Sequence, residues 1–238
     1  FFYRILCGFK YVTERKLKMS INIAVDGPAG AGKSSIARAV AEEIGYIYVD
    51  TGALYRSIAL YSIENKLDNE SLVNSLDKIN IRLEVIDKCQ HVFLNDNDVS
   101  DKIRTPEVSM GASKVSVIPE VREFLFGLQK KIAAENNIIM DGRDIGTVVL
   151  PDADLKVFLT ASAEERANRR FKEMTDSSIT YEQVLEDIKQ RDYNDMHRDI
   201  APLKQAEDAV LLDTTGMTIE EVKQKLKALI DETEKSIG

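Results

Sequence analysis

The stretch Gly27-Pro28-Ala29-Gly30-Ala31-Gly32-Lys33-Ser34 constrains the fold of this chain more than any other feature. It fits the pattern G-x-x-x-x-G-K-[ST], the form of a phosphate-binding loop. Before it, Ile23 and Val25 alternate with smaller residues as in a buried strand, and after it Ser35 to Ile44 has helical apolar spacing. A glycine loop between strand and helix presents backbone N–H groups at a helix N-terminus, which favours bound phosphate. We therefore expect the loop, with Ser35, to bind the phosphates of a nucleoside triphosphate.

Two side chains of the loop and one distant carboxylate are expected to act on those phosphates. Lys33 would reach the β- and γ-phosphates, and the Ser34 hydroxyl would ligate the Mg²⁺ that bridges them. Asp141 follows the short apolar run 138–140. A carboxylate in that position resembles the second acidic element of P-loop enzymes, which holds Mg²⁺ directly or through water. Ser34 and Asp141 are thus the predicted metal ligands.

Length and charge exclude several classes of protein. A chain of 238 residues with 44% hydrophobic residues suits one α/β domain with an insertion and a real core. The net charge of −8 argues against broad nucleic-acid binding, which needs a basic surface. Cys7 and Cys89 show no disulfide or metal pattern, so a reducing cytoplasm is expected. No run is long and apolar enough to span a membrane.

The first eighteen residues differ in composition from the rest of the chain. Five basic residues against Glu14 give this segment a charge of +4, which leaves −12 for the remainder of a chain of net charge −8. Basic residues do not precede a clean apolar core, as a signal peptide requires. A basic, aromatic helix on a membrane surface is one alternative. We favour a disordered leader, or an upstream extension before a true start at Met19, whose deletion leaves activity and thermal stability unchanged.

The remaining patterns predict strands alternating with helices, the arrangement of a parallel sheet. Further strands are expected at 45–50, 138–140, 155–159 and 209–213. Between Asn80 and Asp101 the texture changes to an antiparallel meander, with a turn at 95–98, which we interpret as an inserted subdomain. Thr218 is expected to cap a last amphipathic helix.

Charged residues follow these elements at positions suited to a second anion site. Arg56 begins a helix beyond a strand end, where it would clamp a phosphate or simply be solvated. Arg143 and Asp144 surround Gly142 with Asp141 at the end of another strand. One helix, with Glu165 as capping-box partner of Ser162, gathers three arginines on one face: Arg166, Arg169 and Arg170. Another carries Arg191, Asp195 and Arg198 in one stripe, as an ion-pair ladder or a ribose-phosphate grip.

A GTPase switch competes with a phosphotransferase as the kind of P-loop protein. The strings D-x-x-G and N-K-x-D both occur, at 213–216 and 65–68. Their order is reversed and Asn65 lies at a helix end, so we reject the switch. A small-molecule phosphotransferase needs a second anion site facing the loop and mobile arginines, and the chain offers both.

Three longer motifs carry a more specific resemblance. They are Asp26 to Ser34, Asp50-Thr51-Gly52-Ala53-Leu54-Tyr55-Arg56 and Asp141-Gly142-Arg143-Asp144-Ile145-Gly146-Thr147, and Arg191 to Leu203 continues them. With these motifs, the chain resembles bacterial cytidylate kinases from Ile21 to about Glu234. The resemblance implies an α/β, three-layer fold of the P-loop NTPase type, with a central parallel sheet, a small antiparallel β insertion and a short helical lid. Within a kinase domain at 19–238, we expect the nucleotide-monophosphate-binding insertion at about 65–135 and the lid at about 162–178.

The resemblance also implies roles for individual residues and an activity. Arg56, Arg143 and Arg198 would hold the phosphate of CMP, Ser113, Arg122 and Asp144 would read the cytosine, Arg191 and Asp195 would hold the sugar, and Thr51 and Tyr55 belong to the same acceptor site. Arg166, Arg169 and Arg170 would close over ATP. The expected activity is ATP- and Mg²⁺-dependent phosphorylation of CMP and dCMP by a cytoplasmic monomer. Another monophosphate or a small metabolite as acceptor is the alternative.

Overall fold

A computed structural model describes residues 20–86, 89–174 and 179–237. The basic segment 1–18, and with it the expectation of a disordered leader, lies outside the described residues. Eight helices within the described ranges are labelled in chain order: α1 Lys33–Ile44, α2 Thr51–Glu64, α3 Asn69–Val73, α4 Pro106–Val115, α5 Pro119–Glu135, α6 Ala163–Glu173, α7 Tyr181–His197 and α8 Ile219–Ile237. No helix in these ranges is long and apolar enough to cross a membrane.

The strands form two sheets. Their bounds are β1 Asn22–Asp26, β2 Ile47–Asp50, β3 Ile81–Ile86, β4 Cys89–Leu94, β5 Asn97–Asp98, β6 Ile138–Gly142, β7 Leu155–Thr160 and β8 Val210–Asp213. Five strands make a parallel sheet in the order β2-β6-β1-β7-β8, and β3, β4 and β5 make a small antiparallel sheet. The predicted fold class, a three-layer α/β fold with a central parallel sheet and an antiparallel insertion, is confirmed.

The two faces of the central sheet are buried by different elements, because successive side chains of a strand point to opposite sides. Ile23 and Val25 of β1 face α1 and α8, where they join one apolar cluster. Ala24 faces the other side and belongs to a cluster with Ile145 and Val149, which lie in a short π-helix at Ile145–Val149. The sheet is therefore covered on both faces, as parallel sheets require.

The elements after β2 and before β6 have an apolar core of their own. Leu54 and Ile58 of α2 pack with Leu72 of α3, with the inner residues of the small sheet, and with Val121 and Leu125 of α5. This core explains why the meander can fold beside the central sheet although its strands do not join it. The limits of the insertion at 65–135 stay a prediction.

Four local features differ from the sequence-based expectation. The turn of the meander is only Asn95-Asp96, both with positive φ (47° and 67°), since residues 97–98 already pair with β4 as β5. The short helix α3 and the π-helix are too short to leave a clear apolar period. Arg198 follows α7 as its C-cap, in extended conformation, instead of continuing the helical stripe. Ser162 does cap α6, but the side chain of Glu165 pairs with Arg169 instead of closing a capping box.

Candidate active site

The glycine loop joins β1 to α1 through a backbone that only small residues permit. Gly27, Gly30 and Gly32 have φ values of 146°, 75° and 93°. A Cβ at Gly27 would lie 1.9 Å from the carbonyl oxygen of Leu159, so the loop passes directly against β7. Gly32 is the N-cap of α1 and has no side chain to cap it, so the first N–H groups of the helix are available to an anion. The predicted phosphate cradle is present.

Lys33 is buried beneath this loop instead of extending into solvent. Its Nζ donates to the carbonyl oxygen of Pro28 at 2.7 Å, and the residue is 5% exposed. Burial, followed by the positive charge of Arg143, lowers the pKa of Lys33 to about 7. A phosphate near Nζ would favour the charged form and reverse this effect.

Asp141 lies at the carboxyl end of β6, beside the loop. The Ser34 hydroxyl donates to its Oδ2 at 2.6 Å, and the Tyr48 hydroxyl donates to its Oδ1 at 3.1 Å. Burial, followed by the nearby carboxylate of Asp50, raises the pKa of Asp141 to about 6. The two residues predicted to ligate Mg²⁺ therefore contact each other. A positive charge beside them would stabilise the ionised form of Asp141.

One carboxylate fixes the motif 50–56 after β2, which is predicted to bind the phosphate-accepting nucleotide. Asp50 caps α2 by accepting from the N–H of Ala53 at 2.9 Å, and it also accepts from Arg56 Nη2 at 2.8 Å. The Thr51 hydroxyl donates to the carbonyl oxygen of Asp141 at 2.7 Å, which ties this motif to β6. Burial raises the pKa of the neighbouring Tyr55 to about 12, so its hydroxyl stays neutral.

Three further arginine–carboxylate contacts join the residues at the end of β6 to α5 and to the end of α7. Arg143 Nε donates to Asp195 Oδ2 at 2.7 Å. Asp144, which is 6% exposed, accepts from Arg122 and also from Arg198 Nη2 at 3.4 Å. These residues are far apart in sequence, and the strand ends and helices bring them into one cluster.

A cleft with a volume of about 680 Å³ contains these groups. All predicted site residues line it apart from Gly27 and Pro28, which lie at the base of the loop. Ser113 and Arg191 are both exposed residues of its lining, and partial desolvation in the cleft, followed by the charge of Arg143, lowers the pKa of Arg191. Arg169 reaches across from α6 to the carbonyl oxygen of Thr214 at 2.9 Å. The cleft also has lining residues that we did not predict, including Ser109, Ser116 and Thr214.

Asp26 is a further site residue that the sequence patterns left without a role. Its carboxylate accepts from the N–H groups of Ile145 and Gly146 at 2.8 and 2.7 Å, and so holds the loop after Asp144 against the start of the glycine loop. Burial is the main cause that raises its pKa to about 6. The available signal was a carboxylate ending an apolar strand, a buried position where an acid needs hydrogen-bond partners.

The comparisons with known proteins agree with this geometry. The family profile described as cytidylate kinase matches residues 23–232. The chain belongs to the cytidylate kinase family. It is therefore a kinase of the nucleoside monophosphate class, and the resemblance drawn from the motifs is confirmed.

Individual members of the cytidylate kinase family match most of the chain. It is 52% identical over 214 residues to the cytidylate kinase of Caldicellulosiruptor bescii, covering 88% of this chain and 95% of that protein. It is 49% identical over 217 residues to that of Streptococcus pneumoniae (88% and 96%), and 43% identical over 228 residues to that of Lactobacillus gasseri (94% and 99%).

A solved structure of low sequence identity supports the fold and nothing beyond the fold. An uncharacterized protein from Eubacterium ventriosum superposes with a TM-score of 0.52 at 12% identity, covering 89% of this chain and 99% of that one.

Proposed function

We propose that the protein transfers the γ-phosphoryl group of ATP to the phosphate of CMP or dCMP, with Mg²⁺. The observation that carries this proposal is that one cleft holds a phosphate-binding loop opposite three arginine–carboxylate contacts: Arg56 with Asp50, Arg143 with Asp195 and Arg198 with Asp144. Transfer between two bound nucleotides depends on positioning and charge neutralisation. The attacking oxygen of a monophosphate is already anionic, so the site needs no strong general base.

On the donor side, the backbone N–H groups of the loop and the N-terminus of α1 hold the phosphates of ATP. Lys33 leaves the carbonyl of Pro28 and donates to the β- and γ-phosphates. Because its pKa is about 7 without a ligand, the lysine gains its full charge when the phosphates bind.

The residues beside the loop fit a magnesium ion. Ser34 and Asp141 supply oxygen atoms, the type of ligand that Mg²⁺ prefers. Within the described ranges no group of three or more His, Cys, Asp or Glu residues could hold a metal, which agrees with an ion that takes its other ligands from phosphates and water. When bound, Mg²⁺ would be held by Ser34 and Asp141 and would neutralise part of the phosphate charge.

On the acceptor side, Arg56, Arg143 and Arg198 hold the phosphate of CMP, while Arg191 and Asp195 hold its sugar. Asp144 reads the cytosine with Arg122 and Ser113. Each carboxylate oxygen of Asp144 accepts from one arginine and keeps a second lone pair, which could accept from the N4 amino group. Thr51 and Tyr55 shape the same pocket.

The predicted lid, 162–178, closes over ATP in this proposal; the structure describes its residues 162–174, and residues 175–178 lie outside the described residues. Arg169 and Arg170 lie on α6 at the edge of the cleft, where closure would bring them to the transferring phosphoryl group and exclude water. We further propose that the enzyme acts as a monomer, because a single chain supplies both the donor and the acceptor groups. The cytoplasm is its proposed location.

The test is ATP consumption by the purified protein against a panel of acceptors, with and without Mg²⁺. We expect kcat/KM to be highest for CMP and dCMP, lower for UMP and AMP, and turnover to require the metal. A preference for AMP, or for a small metabolite such as shikimate, would overturn the assignment of the acceptor.

A further inference from the structure

Arg166 of α6 is held by protein groups on almost every side. It is 4% exposed, and its Nε donates to the carbonyl oxygen of Ala161 at 3.0 Å. Nη1 donates to the carbonyl oxygen of Ala29 and to Asp192 Oδ1, both at 3.0 Å, and Nη2 donates to Asp192 Oδ2 at 2.5 Å. These bonds use all but one of the guanidinium N–H groups. Four of its five N–H groups therefore bind protein atoms, which favours a positioning role for Arg166; its predicted contact with ATP stays a prediction.

One end of this contact is the phosphate-binding loop itself. Ala29 lies within the loop, so its carbonyl orientation, and with it the direction of the next N–H, depends on Arg166. A Cβ at Gly30 would lie 3.6 Å from the Cβ of Arg166, which shows that the aliphatic part of the arginine packs against the loop. Arg166 thus constrains the donor loop by a hydrogen bond and by packing.

The other end is the helix that carries acceptor groups. Asp192 follows Arg191 on α7 and precedes Asp195 by three residues, so it shares a helix face with Asp195. Asp195 in turn accepts from Arg143 Nε at 2.7 Å. Contacts therefore run from the donor loop through Arg166 to Asp192, on the same helix that carries Asp195 of the acceptor site.

We propose that Arg166 and Asp192 are a positioning pair that couples the two nucleotide sites. The pair fixes the donor loop relative to α7. When the first ligand orders its own site, it therefore also orders part of the other site, and the second ligand pays a smaller conformational entropy cost on binding. Because coupling of binding is reciprocal, CMP strengthens ATP binding by the factor by which ATP strengthens CMP binding. This inference rests on the proposed function, since it takes the donor loop and α7 to bind ATP and CMP.

The experiment measures the affinity for a non-hydrolysable ATP analogue by calorimetry, with and without saturating CMP. In the unaltered protein we expect CMP to tighten binding by about fivefold or more, the lower end of typical coupling between sites. Asp192→Asn keeps the shape of the side chain but removes its charge, and most of that factor should be lost. Arg166→Lys keeps a positive charge but not the planar fork that serves three partners, so the same loss is expected.

A matched control is available on the same two helices. Glu164 of α6 and Lys189 of α7 also form an ion pair, at 3.9 Å, but both side chains are exposed and neither lines the cleft. Glu164→Gln should keep the coupling factor. Melting temperatures establish whether each variant is folded. If Asp192→Asn does not fold, Arg166→Lys alone tests the pair's role in coupling.

Three results would overturn the pair's role: no coupling in the unaltered protein, full coupling in a folded Asp192→Asn or Arg166→Lys, or equal loss in Glu164→Gln. The acceptor panel tests the proposed function separately. If that panel names another monophosphate, the calorimetry is repeated with it, so that failure of the acceptor assignment and failure of the coupling are distinguishable.

Discussion

The two sides of the cleft bind phosphate by different means. The donor side is mostly backbone: a loop of consecutive residues, including three glycines with positive φ, that ends at the N-terminus of α1. The acceptor side is mostly side chains: Arg56 is held by Asp50 of its own motif, and Arg143 and Arg198 are held by carboxylates distant in sequence. Backbone donors recognise any polyphosphate, whereas a set of oriented side chains can distinguish one monophosphate from another. Substitutions should therefore reduce turnover on the donor side and alter acceptor choice on the other.

The largest expected effect is on the donor side, at the one charged side chain of the glycine loop. Lys33→Ala should lower kcat by about 10²–10³-fold, the usual loss when one preorganised donor to a developing charge is removed. The fold should persist, because Lys33 bonds within its own loop. Steady-state kinetics with CMP and ATP, beside a melting curve, would measure both. An unchanged kcat in the folded variant would refute the role of Lys33.

The next effect is on acceptor choice. A carboxylate can accept from the N4 amino group of cytosine but opposes the O4 atom of uracil, and such a contact discriminates by about 1–3 kcal/mol. Asp144→Ala should therefore lower the CMP-to-UMP ratio of kcat/KM by about 10- to 100-fold. Because the change also releases Arg122 and Arg198, absolute rates for both acceptors should fall.

Asp144→Asn is the sharper companion, since it keeps the shape of the side chain and an oxygen acceptor. Competition between CMP and UMP in one reaction gives the ratio directly. If the ratio is the same in all three proteins, Asp144 does not read the base.

A smaller effect separates charge from geometry on the acceptor side. Arg143→Lys preserves the positive charge but loses the Nε contact to Asp195 and the planar fork that fits a phosphate. We expect KM for CMP to rise about tenfold with a smaller change in KM for ATP, since a hydrogen bond to a charged group contributes about 1.5–3 kcal/mol. Arg82→Lys, at an exposed ion pair of the small sheet, is the control and should change neither. Equal increases for both substrates would contradict the division between the two sides.

The smallest effect is a proton taken up by the donor side. In the free protein the pKa of Lys33 is lowered to about 7, so at pH 8 the lysine is mostly neutral. Bound phosphate raises the pKa of Lys33. At any pH between about 7 and this raised pKa, the ATP complex therefore binds more protons than the free protein and free ATP together. ATP binding at pH 8 should take up a fraction of one proton, and CMP binding alone much less. Calorimetry in buffers of different ionisation enthalpy measures this, and Lys33→Met should abolish it.

The same division explains which parts of the site could be predicted from the sequence. The donor loop and its flanking strand and helix are contiguous, so one motif and its neighbours' periodicity sufficed. The acceptor residues were predicted through their resemblance to a family, because Arg56, Arg143 and Arg198 each look like ordinary surface arginines in isolation. Asp26 and Asp192 were missed, since their partners lie at Ile145–Gly146 and at Arg166, and no local pattern records such contacts.

By itself, the sequence determined the α/β class, most strand and helix positions, and the phosphate-binding loop, because periodicity, glycine conformations and helix caps act over a few residues. Only the tertiary structure decided the strand order β2-β6-β1-β7-β8, which brings β6 beside β1 and so places Asp141 against Ser34. It also decided that Arg166 is a buried anchor of the loop while Arg169, three residues on, is partly exposed and bonds to Thr214. A side chain's burial and partners depend on what packs against its helix, and that packing is specified by the whole chain.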